Sequence, residues 1–239
     1  MSIVNGFVKK INKAYIDNNY EKVLSELYPQ RKESVLKLRN RQAVYASITA
    51  GELLIEAYDS VYGSGGKLLS VVKSEGGKPY IKDREEFKFN ISHSGDYVII
   101  AYSTEPDIKS IGADIEKVRQ RDDDMKIANR YFTKSEIDYI SDGLECSDID
   151  LRFYKIWTMK EAFIKLTGKG LGQRLDSFSV NPDGLGVEIL DDKIYEYFSC
   201  DKHIKDFGIS YDMKIVDKHV ISLCAYGDSC VEFIYKQTM

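Results

Sequence analysis

The chain reads as an α+β protein, and three observations carry that reading. A helix-periodic stretch from Ser34 to Tyr58 is followed by alternating strands between Phe87 and Tyr102. The order then recurs, with helices between Thr133 and Gly168 and short strands from Phe178 onward. Pro106 and its polar neighbours break the chain near residues 104 to 110. Helices and strands, twice over, fit two α+β lobes, residues 1–107 and 108–239, although no sequence repeat relates them.

In chain order, Val35, Leu38, Ala43, Ile48 and Leu53 to Ile55 are the apolar residues of the first helix, and Gly63, Gly65 and Gly66 end it. Phe87, Phe89 and Ile91 alternate with polar residues and Tyr97 to Tyr102 is nearly all apolar, so Gly95-Asp96 is the expected turn of a β-hairpin. Ile111 to Glu116 reads as a strand and the charged run from Lys117 to Asp124 as a solvated connection. Thr133-Lys134-Ser135-Glu136 has the capping-box pattern and starts a helix through about Ile140. Ser147 or Asp148 is expected to cap the next helix, with Ile149, Phe153, Ile156, Trp157 and Phe163 at helical spacing and Gly168 as terminator. Trp157 reads there as a core anchor. Strands are then expected at 178–180, 187–190, 194–198, 220–225 and 231–235.

Composition bounds the function classes. Of 239 residues, 43% are hydrophobic, enough for a substantial core. Thirty-four basic against 38 acidic residues leave a formal charge of −4, so no global positive field exists to hold nucleic acid. Cys146, Cys200, Cys224 and Cys230 have neither zinc-ligand spacing nor a disulfide framework, and reduced, inert thiols are expected. Lys9 and Lys10 arrive too soon for a secretory apolar core and no run reaches membrane-spanning length, so the expectation is a cytoplasmic protein with no membrane association.

The chemistry lies in two separated segments. In the strand Ile111-Gly112-Ala113-Asp114-Ile115-Glu116, Asp114 and Glu116 leave the same face and aim at one point. In the helix Trp157-Thr158-Met159-Lys160-Glu161-Ala162-Phe163-Ile164-Lys165, Glu161 and Lys165 share a face. If the two elements pack together, three carboxylates form a hard oxygen site for a divalent cation, with a lysine one turn away to meet a phosphate. That is the chemistry of magnesium-assisted phosphoryl-group transfer. Taken singly, Glu161 and Lys165 also fit an exposed helix pair, and Asp114 and Glu116 a solubilised strand edge.

Together the segments resemble the phosphopantetheinyl transferases, specifically the large two-lobed type that activates peptide and polyketide synthase carrier proteins. That family has a Gly-x-Asp-x-Glu strand and, some forty-odd residues on, Trp-x-x-Lys-Glu-x-x-x-Lys; here Glu161 lies 45 positions after Glu116. Gly77-Lys78-Pro79-Tyr80, Phe89-Asn90-Ile91-Ser92-His93-Ser94, Asn129-Arg130-Tyr131-Phe132-Thr133, Gly168-Lys169-Gly170-Leu171 and Leu175-Asp176-Ser177-Phe178 are also similar. The resemblance covers about residues 29 to 226 and leaves the first 28 outside it. Ala113 stands where a larger β-branched residue is frequent, which alters packing behind the metal and not its ligands.

The resemblance implies a pseudo-twofold pair of similar lobes in one chain with coenzyme A bound in the cleft between them, and it implies roles. Magnesium would be held by Asp114, Glu116 and Glu161. The Lys78-Pro79 segment would contact the nucleotide end of coenzyme A, and Ser92, His93 and Lys165 its phosphates. Arg41 falls near a basic position that binds the 3′-phosphate. From the residues alone, Lys78 is equally an exposed hairpin-turn lysine, His93 a satisfied surface histidine, and the basic stretch from Arg31 to Arg41 a solvated helix face. A carrier serine would attack the phosphorus bearing the pantetheine arm, with Glu161 as general base directly or through a metal-bound water, and 3′,5′-ADP would leave. The carrier would dock along residues 167–192, where Leu171, Leu175 and Phe178 offer apolar contact. By analogy the two-lobed form favours secondary-metabolite carriers over those of fatty acid synthesis, and a chain supplying both lobes is expected to act as a monomer. Two alternatives use the same residues: a magnesium-dependent hydrolase of coenzyme A and nucleotide pyrophosphates, and a non-catalytic binding module, whose expected loss of Asp114, Glu161 or Lys165 is not seen.

Overall fold

Two antiparallel-rich sheets pack face to face, each covered on its outer side by helices. The computed structural model describes residues 1–143, 145–198 and 208–238. The first block holds β1 (Ser2–Lys10), α1 (Lys13–Asn18), α2 (Tyr20–Ser25), α3 (Pro29–Leu36), α4 (Arg41–Tyr62), β2 (Val71–Lys73), β3 (Pro79–Ile81), β4 (Lys88–Ser94) and β5 (Tyr97–Ser103). The second holds β6 (Ile108–Lys117), α5 (Asp124–Tyr131), α6 (Lys134–Ser141), α7 (Cys146–Thr167), β7 (Phe178–Asn181), β8 (Gly186–Ile189), β9 (Ile209–Val216), β10 (His219–Gly227) and β11 (Val231–Thr238). The first sheet has the order β11-β1-β5-β4 and the second β6-β10-β9. The mixed α+β class is as expected.

Period-two alternation explains the layering. In β5, Tyr97, Ile99 and Ala101 face the second sheet while Val98, Ile100 and Tyr102 face the helices. Burial on both faces is why that strand reads as an unbroken apolar run. In β6, Ile111, Ala113 and Ile115 fill the space between the sheets. The intervening residues, Gly112, Asp114 and Glu116, are thereby turned away from that core. On the outer side, Ile156, Met159 and Phe163 of α7 pack with Val220 and Cys224 of β10.

The hairpin turn at Gly95, with φ +57°, the capping box of α6 and the left-handed Gly168 after α7 occur where expected. Other expectations need correction. The helix expected over 34–58 is two helices: the chain leaves α3 after Leu36, and Asn40 accepts a hydrogen bond from Ala43 N to start α4 afresh. α7 starts at Cys146, ahead of Ser147 and Asp148, with Glu145 at its N-cap. The strand expected at 194–198 is a 3-10 helix, Asp192–Phe198, with Ile194 and Phe198 both buried. β1, which the pattern did not disclose, is central to its sheet, pairing with β5 antiparallel and β11 parallel. Through β11 the chain's last described strand joins the sheet of the first block, across the line expected at 107/108. Cys224 is buried while Cys146 and Cys230 are exposed, all as free thiols; Cys200 lies outside the described residues. Among the described residues no helix is long and apolar enough to cross a membrane.

Candidate active site

β6 and α7 meet without an intervening side chain. A Cβ on Gly112 would lie 1.9 Å from Ala162 O and 2.8 Å from Leu166 N. Only glycine permits this approach, which sets the carboxylate face of the strand against the face of α7 that bears Glu161 and Lys165. Asp114, Glu116, Trp157, Glu161 and Lys165, with Ile91, Ser92 and His93 from β4, line one open pocket of about 420 Å³. The three carboxylates and the lysine are thus brought together from segments 45 positions apart.

β4 supplies the other wall. Its inward residues bond directly to β6: Asn90 Oδ1 accepts from Ala113 N at 3.0 Å, and Ser94 Oγ accepts from Lys117 N at 3.1 Å. Ser92 Oγ donates to Asp114 Oδ1 at 2.8 Å and Ser94 Oγ to Glu116 Oε2 at 2.7 Å. Lys165 Nζ donates to Asp114 Oδ1 at 2.6 Å and to Ser92 Oγ at 2.9 Å. Asp114 is buried and its other oxygen, Oδ2, has no hydrogen-bond partner.

Electrostatics mark the pocket as short of positive charge. Burial raises the Glu161 pKa, and Asp114 adds to the shift while Lys165 opposes it. Glu116 is raised too, first by burial, against the hydrogen bond from Ser94, with Asp114 adding. His93 sits below the ordinary imidazole value, first through desolvation and then through the cations of Lys165 and Arg31. Among the described residues no three His, Cys, Asp or Glu side chains converge as a ready-made metal site. The donor chemistry nonetheless fits a hard divalent cation: oxygen ligands only, one buried oxygen unpartnered, and two carboxylates whose ionised forms are disfavoured until positive charge arrives.

A second cavity of about 660 Å³ adjoins this pocket, sharing Ile91, His93 and Lys165. Its further lining includes Arg31, Ser47, Lys73, Pro79 and Gly168. Arg31 is a residue that sequence reasoning left inside a general basic stretch. It lies on the cavity wall, its Nε donating to Tyr28 Oη at 3.1 Å. Arg41 is not on that wall. It starts α4 facing solvent, with its guanidinium on Asp17 Oδ1 at 2.7 Å and Tyr45 Oη at 2.6 Å. Lys78 also lines the cavity, with its ammonium turned onto Ser110 Oγ, Ile111 O and Leu166 O.

Two models of known families match. The description "4'-phosphopantetheinyl transferase, N-terminal" covers residues 15–105, and "4'-phosphopantetheinyl transferase superfamily" covers 110–224. The 4'-phosphopantetheinyl transferase Sfp of Bacillus subtilis (strain 168) is 35% identical over 176 residues, 72% of this chain and 75% of its own. The chain belongs to the 4'-phosphopantetheinyl transferase superfamily. The phosphopantetheinyl transferase gsp of Aneurinibacillus migulanus is 32% identical over 177 residues, 73% of this chain and 70% of its own. The L-aminoadipate-semialdehyde dehydrogenase-phosphopantetheinyl transferase of Xenopus laevis is 34% identical over 131 residues, 50% of this chain and 41% of its own.

In this phosphopantetheinyl transferase the two lysines of the helical motif part company. Lys165 enters the site, whereas Lys160 is fully buried, donating to Leu175 O at 2.7 Å and Phe178 O at 2.8 Å and pairing with Glu136 Oε1 at 2.8 Å. Lys160 therefore fastens the segment after α7. That fastening corrects one expectation: Phe178 offers no apolar contact to a partner, because its ring is wholly buried, 4.4 Å from Phe163. Leu175 is half-buried against the same core, and the Leu171 side chain lies outside the described residues. Trp157 is both anchor and lining, stacked on Phe153 at 5.9 Å while bordering the carboxylate pocket.

Proposed function

We propose that this chain, a 4'-phosphopantetheinyl transferase, moves the 4'-phosphopantetheine arm of coenzyme A to a serine hydroxyl of an apo acyl or peptidyl carrier protein and releases 3',5'-ADP. The observation that carries the reading is the Asp114–Lys165 pair beside Glu116 and Glu161, in a pocket that opens into a cavity lined by Arg31, His93 and Pro79. The cavity is taken as the place of coenzyme A, between two lobes of similar design.

Lys165 and His93 face the coenzyme A phosphates and Arg31 the 3'-phosphate; a fixed guanidinium suits that group. Ser92 orients Asp114, and Pro79 walls the nucleotide end. Asp114, Glu116 and Glu161 would hold magnesium, which neutralises the pyrophosphate and sharpens the electrophilicity of its phosphorus. The serine oxygen forms a bond to the phosphorus that carries the pantetheine arm, the bridging P–O bond breaks, and its electron pair leaves with 3',5'-ADP. Glu161 takes the serine proton. The carrier approaches the rim beside residues 167–192.

The test is intact-mass spectrometry of apo carrier proteins incubated with coenzyme A, magnesium and this protein. A gain of one phosphopantetheine on the carrier serine, lost in Glu161→Ala and Lys165→Ala, is the expected result. Coenzyme A cleaved with no carrier modified would instead make the protein a pyrophosphate hydrolase.

A further inference from the structure

The turn between β2 and β3 crosses from the first block of the chain onto the second. At Gly76 it presses so closely on the residue after α7 that a Cβ there would come 2.2 Å from Gly168 O. Two residues on, Lys78 Nζ donates to Ser110 Oγ at 2.7 Å, Ile111 O at 2.8 Å and Leu166 O at 3.2 Å. An ammonium has three N–H donors, and all three are committed.

The acceptors matter more than their number. Ile111 lies in β6, the strand of Asp114 and Glu116; Leu166 lies in the last turn of α7, the helix of Glu161 and Lys165. Ser110 Oγ also donates to Leu166 O, at 2.7 Å. The last carbonyls of a helix have no donor within it, so this one is open to a tie from outside. Around Gly112 the two elements meet backbone to backbone. The seam of Lys78, at Ser110 and Ile111, lies immediately before that contact on the strand. Desolvation there lowers the Lys78 pKa to about 8.

We propose that Lys78 is a positioning residue for the transfer reaction: its ammonium locks the end of α7 to β6 and so fixes the spacing of Glu161 and Lys165 from Asp114 and Glu116. It is not a ligand of the coenzyme A phosphates. The inference rests on the transferase reading, and the test separates the two.

Lys78→Met keeps the stem and removes the donors. Two readouts are needed. The first is the split of kinetic constants with a carrier protein: kcat is expected to fall about 10- to 100-fold with KM for coenzyme A within about two-fold. The second uses Trp157, the single tryptophan, which borders the carboxylate pocket, and its quenching by Mn2+ alone. The Mn2+ midpoint is expected to rise about ten-fold in Lys78→Met. A rise in KM for coenzyme A of about ten-fold with kcat and the Mn2+ midpoint unchanged would overturn the proposal and make Lys78 a phosphate ligand. Should Lys78→Met fail to fold, Lys78→Gln keeps a polar head but is too short to reach all three acceptors, and leaves the Ser110–Leu166 bond in place. A lower kcat and a raised Mn2+ midpoint at constant KM support the tie; wild-type values for both overturn it. A wild-type protein without transfer would strike the transferase reading, and the Trp157 measurement would still decide Lys78.

Discussion

Lys165 Nζ lies 2.6 Å from Asp114 Oδ1, on the one oxygen of that carboxylate that is also bonded to Ser92, and leaves Oδ2 without a partner. The pair therefore does two things at once. It compensates a buried carboxylate and leaves a second oxygen free for a cation. Replacing Lys165 with Met is expected to lower kcat about 10²- to 10³-fold, since a fixed positive charge is removed from a site where phosphate charge must be stabilised. Single-turnover transfer to an apo carrier measures it.

Arg31 and Arg41 should separate cleanly. Arg31→Ala is expected to raise KM for coenzyme A about ten-fold, the loss of one charge-assisted contact, with kcat nearly unchanged. Arg41→Ala, which removes a solvent-facing pair with Asp17, should leave both constants within about two-fold. Steady-state kinetics on the two variants, compared at low and high salt, check the assignment.

Gly112→Ala is the smallest change with a large expected effect. The new methyl group meets Ala162 O, so α7 must move away from β6. A loss of about 3 kcal/mol in stability is expected, together with loss of transfer. Urea unfolding reads the first and carrier mass the second.

Lys160→Met leaves Glu136 buried without its cation. The cost is expected to be about 3–5 kcal/mol, large because the Glu136 carboxylate still accepts from Thr133 N and Val180 N and cannot turn to water. Glu136→Gln keeps an acceptor for only one of those two bonds and leaves Lys160 without its counter-charge, so a comparable cost is expected. The comparison is a shift in urea midpoint at constant slope.

Asp124 gives a pH test away from the catalytic pocket. Both its carboxylate oxygens are buried without partners, and burial raises its pKa to about 6, with Arg121 opposing and Asp150 and Asp123 adding. A folded pKa above the unfolded one means that stability is full below about pH 4 and falls as pH rises through 6. Asp124→Asn is accordingly expected to be more stable than the wild type at pH 7 by about 1–2 kcal/mol, the difference closing between pH 6 and 4. Thermal unfolding of both proteins across that range measures it; a gap that widens on acidification contradicts the assignment.

The residues of the carboxylate pocket were legible because their chemistry is periodic. Asp114 and Glu116 alternate on a strand, Glu161 and Lys165 repeat on a helix, and each spacing survives whatever surrounds it. The same holds for the Gly95 turn, the α6 capping box and the Gly168 stop, which depend on a few adjacent residues. Elements that depend on distant partners were not legible. β1 is held by β5 and, from the far end of the chain, by β11, and nothing local to 194–198 distinguishes a strand from the 3-10 helix found there.

The amino-acid sequence by itself determined the class of fold, the order of its main elements and the four side chains that meet in the pocket, since local periodicity and backbone stereochemistry are written in neighbouring residues. Only the tertiary structure decided which basic residues serve the cavity. Arg31 lies on its wall, Arg41 faces away on Asp17, and Lys78 lies on its wall with its ammonium drawn into the seam between β6 and α7. A long cationic side chain has many rotamers and no period, so its destination is set by the acceptors that packing places within reach.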